Sequence, residues 1–167
     1  MNVKTMPRTK KQNENLLKLA NYLKALPEDY EHFDMKAFIE VGAENYMFPR
    51  SLHKSDIINS CGTVACAVGH GPSAGIIPKR KEFWVEYSNR AFTNNEDEWD
   101  WCFNSEWFEV DNTLVGAYKR IYLLLDIGVP NFDIEERVMQ YEGEGELSEK
   151  ILRRDDKKLY KSLLKGY

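Results

Sequence analysis

Residues 112–130, NTLVGAYKRIYLLLDIGVP, hold the most regular pattern in the chain and decide its fold class. Apolar side chains recur there at spacings of three and four, which predicts a helix over 112–127 that buries one face. Polar residues suited to capping precede this helix, and Gly128 with Pro130 ends it. We therefore expect the helix at the centre of the core. Its expected buried stripe is Leu114, Tyr118, Ile121 and Leu125, widened by Val115 and Tyr122, with Lys119 and Arg120 outside it.

The same kind of spacing predicts three more helices, over 13–26, 62–70 and 148–164. Segment 82–93, EFWVEYSNRAFT, alternates in part and is rich in aromatic residues, so one or two short strands are expected there. No internal repeat and no Pro/Ser-rich linker divides the chain. The predicted fold class is mainly α: a single compact helical domain. Because this domain carries a minor short β element, the fold can also be described as α+β.

The composition is typical of one soluble domain. The chain has 167 residues, of which 43% are hydrophobic and 30% charged, which suffices for one core and excludes collagen-like and fully disordered proteins. No apolar run approaches the roughly 20 residues that cross a bilayer, and no apolar stretch follows the basic N-terminus as in a secretory signal. The three cysteines are expected to be reduced. We expect a cytoplasmic protein without a membrane partner, for which a homo-oligomer is possible.

Charge is distributed unevenly along the chain. Lys and Arg number 23 against 27 Asp and Glu, so the net charge is −4 and duplex nucleic acid is not an expected partner. Residues 1–12 carry four basic residues and no acid, and we interpret them as a basic flexible tail before a globular domain over 13–167. Residues 81–111 carry nine carboxylates, two basic residues and all four tryptophans. This acidic stretch is either a surface element whose rings face the core or a protein-binding surface.

Residues 60–75, SCGTVACAVGHGPSAG, combine small residues with a possible helix start. On a helix, Gly62, Ala65, Cys66 and Gly69 would form one smooth face against which another backbone could pack. A helix N-terminus also offers unpaired N–H groups and the positive end of the helix dipole, which favour an anion or a thiolate. Two interpretations stay open for this segment: a buried packing helix and a phosphate site.

The stretch FDMKAF at 33–38, followed by CGTVACAVGHG at 61–71, resembles a group of small uncharacterised bacterial and phage proteins. That group pairs an FDM-like stretch with a CGT-x-x-C-x-x-GH-like helix, and continues with an aromatic stretch and a helix that begins at a DNT-like triplet, here Asp111–Thr113. The resemblance covers residues 33–130. It implies a phage or prophage accessory protein, in the host cytoplasm if it is phage-encoded, and it supplies no catalytic residue.

The leading functional hypothesis is a non-enzymatic binding protein that interferes with host defence by capturing a small nucleotide-like signal or a host protein. A phosphate would lie at the start of the CGT helix beside an arginine, and a base would stack on tryptophan. No cofactor is expected. The candidate ligand-binding residues are Ser60, Cys61, Gly62, Thr63, Trp84, Arg90, Trp99 and Trp101. The candidate protein-binding residues are Glu96, Asp97, Glu98 and Asp100.

Two alternatives concern the cysteines. The first is a cysteine-dependent hydrolase, because Cys61 before a helix resembles the nucleophile of papain-like and bacteriocin-processing peptidases. Those families place their histidine downstream of the cysteine, whereas here His53 precedes it. The second is a metal site in which Cys66 and His70, at i and i+4, are joined by Cys61, Cys102 or a carboxylate. No CxxC or HxxxH pair supports this site, and no bound metal is expected.

Overall fold

The chain folds mainly into helices, as predicted, and adds two small antiparallel strand pairs. The computed structural model describes residues 7–42, 44–59, 64–140 and 150–167. The helices are α1 (Lys10–Ala25), α2 (Lys54–Asn59), α3 (Trp84–Ala91), α4 (Glu96–Phe103), α5 (Trp107–Val110), α6 (Leu114–Ile127), α7 (Ile134–Arg137) and α8 (Arg154–Leu163). The strand pairs are β1 (Glu40–Val41) with β2 (Glu44–Asn45), and β3 (Val138–Gln140) with β4 (Lys150–Leu152).

Helices α1 and α6 form the centre of the core, because they share the most extensive contact between any two described elements. Both helices place apolar side chains at spacings of three and four, so each turns one apolar face toward the other. Full burial of one such side chain contributes about 1.5–3 kcal/mol. The buried apolar residues are Leu16, Leu19, Ala20 and Leu23 on α1, and Leu114, Ala117, Ile121, Leu123 and Leu124 on α6.

Helix α1 begins at Lys10, inside the segment 1–12 that was expected to be a flexible tail. Thr9 caps the helix: its side chain accepts a hydrogen bond from the Gln12 N–H at 3.2 Å, and the Gln12 side chain accepts one from the Thr9 N–H at 2.9 Å. The guanidinium of Arg8 forms an ion pair with a carboxylate of helix α4. The described end of the predicted tail therefore belongs to the folded domain.

The predicted helix over 112–127 is confirmed, but its buried face is displaced from the expected stripe, because Val115, expected to widen that stripe, is 36% exposed. Ile121 is fully buried, as expected, whereas Leu125 is only partly buried and its neighbour Leu124 has no exposed surface. Arg120, expected on the outside, is also fully buried. Helices α1 and α4 both pack on α6, so two sides of it are covered and its arginine lies in the interior.

Segment 82–93 contains helix α3, so the strands predicted there are wrong. The carboxylate of Glu86 accepts a hydrogen bond from the N–H of Phe83 at 3.0 Å and stabilises the start of this helix. The sequence of this segment fits both an alternating spacing and a helical spacing of three and four. The residues that are buried are those at the helical spacing. The buried residues of α3 are Trp84, Tyr87, Ser88 and Ala91.

The predicted helix over 62–70 is wrong for the described part of that segment. Val64 is extended and exchanges two backbone hydrogen bonds, each 2.9 Å long, with Glu40. Helical geometry is limited to a single 3₁₀ turn at Val68–His70. Residues 60–63 lie outside the described residues.

Small residues in this segment still allow another backbone to approach closely, as the sequence indicated. A Cβ atom on Gly69 would lie 1.6 Å from the carbonyl oxygen of Phe38, so only glycine fits there. The N–H of Cys66 donates to the carbonyl of Ala37 at 2.8 Å. The close approach is therefore to an irregular chain and not to a second helix.

Helix α8 confirms the later part of the helix predicted over 148–164. Residues 150–152 form strand β4 instead, and 148–149 lie outside the described residues. Tyr160 is the one buried side chain within α8, and Leu164, directly after the helix, is also buried in the core. Among the described helices, none has the length and hydropathy that crossing a bilayer requires.

Candidate functional site

Two of the tryptophans predicted to stack on a base are core residues. Trp84 and Trp101 are 4% and 1% exposed. Their indole N–H groups donate to the backbone carbonyls of Tyr46 at 2.7 Å and of Arg120 at 2.9 Å. Neither ring therefore offers a face to a ligand.

The other residues of the predicted phosphate site are not brought together by the described chain. The guanidinium of Arg90 donates to both carboxylate oxygens of Glu82, at 2.6 and 2.8 Å, and these bonds lower the pKa of Glu82. Trp99 is half-buried and borders two cavities of about 320 and 250 Å³. The proposed phosphate position at Ser60, Cys61, Gly62 and Thr63 lies outside the described residues.

The four predicted protein-binding carboxylates of helix α4 differ in their surroundings. Glu96 and Asp97 are exposed. Glu98 forms the ion pair with Arg8 that fixes the start of α1, so its role is structural. Asp100 is half-buried, and its burial together with neighbouring carboxylates raises its pKa. Surface charge at this end of α4 is therefore carried by Glu96 and Asp97.

The described cysteines and histidines do not form a catalytic or metal-binding group. Cys66 and Cys102 are free and buried, as predicted, and burial raises the pKa of Cys66 to about 11. The Nδ1 atom of His70 lies 2.9 Å from the carbonyl oxygen of Cys66, so the ring donates to the backbone and not to the thiol. His53 is exposed, and Cys61 lies outside the described residues. Within 7–42, 44–59, 64–140 and 150–167, no three His, Cys, Asp or Glu side chains are placed to hold a metal ion.

A cavity of about 600 Å³ lies between helices α6 and α8, and we call it the lysine pocket. No lysine that borders it forms an ion pair with another described residue. Apolar side chains, among them Val115 and Leu164, complete its walls. The bordering lysines are Lys119 on α6, and Lys157, Lys161 and Lys165 on α8 and the turn after it.

A hydrogen-bonded chain of three side chains closes the floor of the lysine pocket. Asp111 and Tyr160 line the pocket, and Arg120 lies behind them in the core. Nη1 of Arg120 donates to the hydroxyl oxygen of Tyr160 at 2.8 Å, and this hydroxyl donates to Oδ2 of Asp111. The same Oδ2 atom lies 3.7 Å from Nη1 of Arg120. Arg120 therefore balances the charge of Asp111 from the core side. The positive charges of the four lysines are not compensated by Asp111.

The buried guanidinium of Arg120 depends on a small set of partners. It lies 4.1 Å from the centroid of the Trp107 ring, which in turn lies 5.1 Å from the ring of Tyr160. Its Nε and Nη2 atoms have no hydrogen-bond partner among the described residues. A desolvated cation over an indole face gains about 2 kcal/mol, so Trp107 is a second source of stabilisation besides Asp111.

Gly116 allows the carboxylate of Asp111 to lie against the first turn of α6. A Cβ atom on Gly116 would lie 2.0 Å from Oδ2 of Asp111. Hydrogen bonds from the hydroxyls of Thr113 and Tyr160 hold this carboxylate in place. We expect Gly116→Ala to lower the free energy of unfolding by about 1–3 kcal/mol, measured by urea denaturation, although alanine is the better helix former. In an Asp111→Ala background the obstacle is gone, and Gly116→Ala should be neutral or stabilising. An equal loss in both backgrounds would contradict this account.

The sequence analysis missed the lysine pocket, although part of its signal is visible. Lys157, Lys161 and Lys165 recur at a spacing of four, which places them on one side of a helix. Lys119 was expected to be a solvated residue outside the stripe of α6. No pattern in the sequence indicates that this side of α6 faces α8.

The stretches that carry the resemblance to phage proteins meet in the fold. The side-chain oxygen of Asn112 accepts a hydrogen bond from the N–H of Met35 at 2.8 Å, which joins the FDM stretch to the start of α6. The N–H of Asp34 donates to the carbonyl of Ala65 at 3.1 Å, and the N–H of Ala65 donates to the carbonyl of His32 at 3.0 Å. These contacts position backbone segments, so the described part of the pattern has a structural role.

Comparisons with protein-family models, with curated proteins and with solved structures found no match for this chain.

Proposed function

We propose that this chain is a non-enzymatic binding protein that holds a small phosphate-bearing anion in the lysine pocket. The observation that carries the proposal is that four lysines from two helices border one cavity, in a chain whose net charge is −4. Like charges this close repel one another, and an anion between them removes the repulsion.

The size and chemistry of the pocket support a small ligand. Cavities that hold small molecules measure about 300–1,000 Å³, and the lysine pocket at about 600 Å³ lies within that range. Lysine binds phosphate as a point charge with three donors. The part of the anion that carries no charge would contact Val115 and Leu164.

The titratable groups on the floor favour binding over catalysis. The hydroxyl of Tyr160 already accepts from Arg120 and donates to Asp111. Burial raises the pKa of Tyr160, so the hydroxyl keeps its proton at neutral pH. Neither Tyr160 nor the Asp111 oxygen that it contacts is therefore available as a general base for a bound ligand.

The proposal is tested by titrating the purified chain with phosphate, pyrophosphate and tripolyphosphate in a calorimeter at constant ionic strength. We expect at least one of these anions to bind, and the double variant Lys119→Gln/Lys161→Gln to bind it at least tenfold more weakly. Loss of a charge-assisted contact costs about 1.5–3 kcal/mol, and every 1.4 kcal/mol corresponds to a factor of ten.

Lys158→Gln is the matched control. Lys158 lies on the same helix but outside the pocket, where it pairs with Asp155 at 3.9 Å. Like Lys161→Gln, Lys158→Gln removes one positive charge from α8. It should leave the affinity within about twofold of the original value. If no anion binds, or if the control weakens binding as much as the double variant does, the lysine pocket is not the site.

The biological setting stays a prediction that rests on the resemblance to phage proteins. Interference with host defence would follow if the captured anion were a signal of the host. Capture of a host protein at Glu96, Asp97, Glu98 and Asp100 stays a prediction, and a cysteine hydrolase based on Cys61 stays the alternative to a binding protein. None of the described residues that line the lysine pocket is one that either of these two functions requires.

A further inference from the structure

We infer that the ligand of the lysine pocket is a linear chain of phosphates rather than one compact anion. The inference rests on the proposed function and specifies its ligand. It follows from the arrangement of the lysines on α8 and in the turn after it, from the position of Asp111 and from the surroundings of the one aromatic ring that lines the pocket.

Lys157 and Lys161 on α8 and Lys165 in the turn after it form a row. Lys157, Lys161 and Lys165 follow one another at four-residue intervals, and all three border the same cavity. Cβ atoms at such an interval lie about 5–6 Å apart on a helix, so Lys157 and Lys161 are neighbours on α8, and Lys165 lies two residues beyond the last residue of the helix. A single phosphate group contacts all three ammonium groups only if the lysine side chains at both ends bend toward the middle of the row. An anion whose charge is spread along its length can contact all three ammonium groups at once.

The floor of the pocket directs the anion along this row. Arg120 balances the charge of Asp111, but the carboxylate oxygens that line the pocket are acceptors and offer no hydrogen bond to a phosphate oxygen at the floor. Lys119 is half-buried and adds a fourth positive charge from α6. The favourable position is therefore between Lys119 and this row, with the anion parallel to the helix and away from Asp111.

The pocket chemistry separates a free oligophosphate from two other linear polyanions. Tyr160 is the aromatic residue that lines the pocket, and its ring is buried against Trp107, so the described residues provide no platform for stacking the bases of a single-stranded nucleic acid. The described lysines that line the pocket bind anionic oxygens as point charges, so the charge carried by each group of the ligand decides between a phosphate chain and an acidic peptide. A phosphate monoester carries about −1.5 to −2 at neutral pH, whereas a carboxylate carries one charge, so the phosphate chain is favoured.

The experiment compares anions of increasing length at constant ionic strength by calorimetry. We expect tripolyphosphate to bind at least tenfold more tightly than orthophosphate, with pyrophosphate between them, because each added phosphate engages a further ammonium group. Oligothymidylate and oligoglutamate of matched charge should bind more weakly than tripolyphosphate. Equal affinity for orthophosphate and tripolyphosphate, or tighter binding of either control polymer, would overturn the inference.

Lys165→Gln gives a second, independent test, since Lys165 lies at the end of the row. We expect this variant to weaken tripolyphosphate binding about tenfold and orthophosphate binding by a smaller factor, because one phosphate group can bind nearer the other lysines. Lys158→Gln should change neither affinity. An equal loss for both anions in Lys165→Gln would disprove the linear arrangement while anion binding itself stands. If the Lys119→Gln/Lys161→Gln variant loses anion binding and Lys158→Gln does not, the proposed function is supported. This holds whether or not the affinity depends on the length of the anion.

Discussion

Arg120→Met is expected to lower the free energy of unfolding by about 3–5 kcal/mol, measured by urea denaturation. Methionine has a similar length and fills much of the same space, so the loss is mainly electrostatic. Without Arg120, the carboxylate of Asp111 stays 17% exposed at the floor of the pocket with no cation on its inner side. The hydroxyl of Tyr160 also loses its donor.

A double-mutant cycle separates this effect from packing. Asp111→Asn removes the charge that Arg120 balances, so Arg120→Met in that background should cost less than half of what it costs alone. Tyr160→Phe serves as a third variant, because it keeps the ring against Trp107 and removes the hydroxyl bridge. If Arg120→Met costs the same with Asp111 and with asparagine at that position, the ion pair contributes nothing and the loss comes from packing, from the Trp107 ring contact and from the hydrogen bond to Tyr160.

Acidification from pH 7 to pH 4 is expected to destabilise the fold by about 3 kcal/mol through His70 alone. His70 is fully buried, and burial lowers its pKa from 6.5 to about 4. The unfolded chain therefore binds a proton at a higher pH than the folded chain does. Stability from this group is complete above pH 6.5, falls between pH 6.5 and 4, and changes no further below pH 4.

The surroundings of His70 explain why it stays neutral. Its Nδ1 atom donates to the carbonyl of Cys66, and its Nε2 atom has no hydrogen-bond partner among the described residues. The rings of Tyr22, Tyr30 and Phe33 lie with their centroids 5.7–6.2 Å from the imidazole. Burial lowers the pKa of His70, the hydrogen bond to the carbonyl of Cys66 offsets this only in part, and the neighbouring His32 lowers the pKa further.

Comparison with His70→Gln separates the contribution of His70 to the pH dependence of stability from that of the carboxylates, which titrate in the same pH range. The slope of unfolding free energy against pH between 4 and 6.5 should be smaller in His70→Gln than in the original chain. His53→Gln is the matched control, because His53 is exposed and its replacement should leave the slope unchanged. Identical slopes in His70→Gln and in the original chain would show that His70 has the same pKa in the folded and the unfolded chain, and this would contradict the prediction.

The sequence predicts those elements whose signals are local and agree with each other. Helix α6 has apolar spacing, capping residues and a glycine stop, and it forms where it was expected. Segment 82–93 satisfies both an alternating and a helical pattern, so only its neighbours in the fold decide in favour of α3. The small residues of 62–70 indicate close packing correctly, but they do not indicate whether the packed chain is helical.

The candidate site depends on contacts between distant parts of the chain, so it could not be predicted from local patterns. The sequence pattern predicts Arg120 to be a surface residue of α6. Only the fold brings Trp107, Asp111 and Tyr160 into contact with it. The lysine row on α8 and the turn after it is visible in the sequence. Its importance depends on Lys119, which reaches the same cavity only because α8 lies beside α6.

The pairing of α1 with α6 also determines the order in which this chain can fold. The Asn21–Tyr122 hydrogen bond joins residues 101 positions apart, and the bond from Arg8 to the carbonyl of Leu124 spans 116 positions. During synthesis, the first helix must therefore wait for most of the chain before its partner exists, with its leucines exposed in the meantime. Closing so long a loop precedes any gain from burial, which slows folding and leaves the nascent chain open to aggregation.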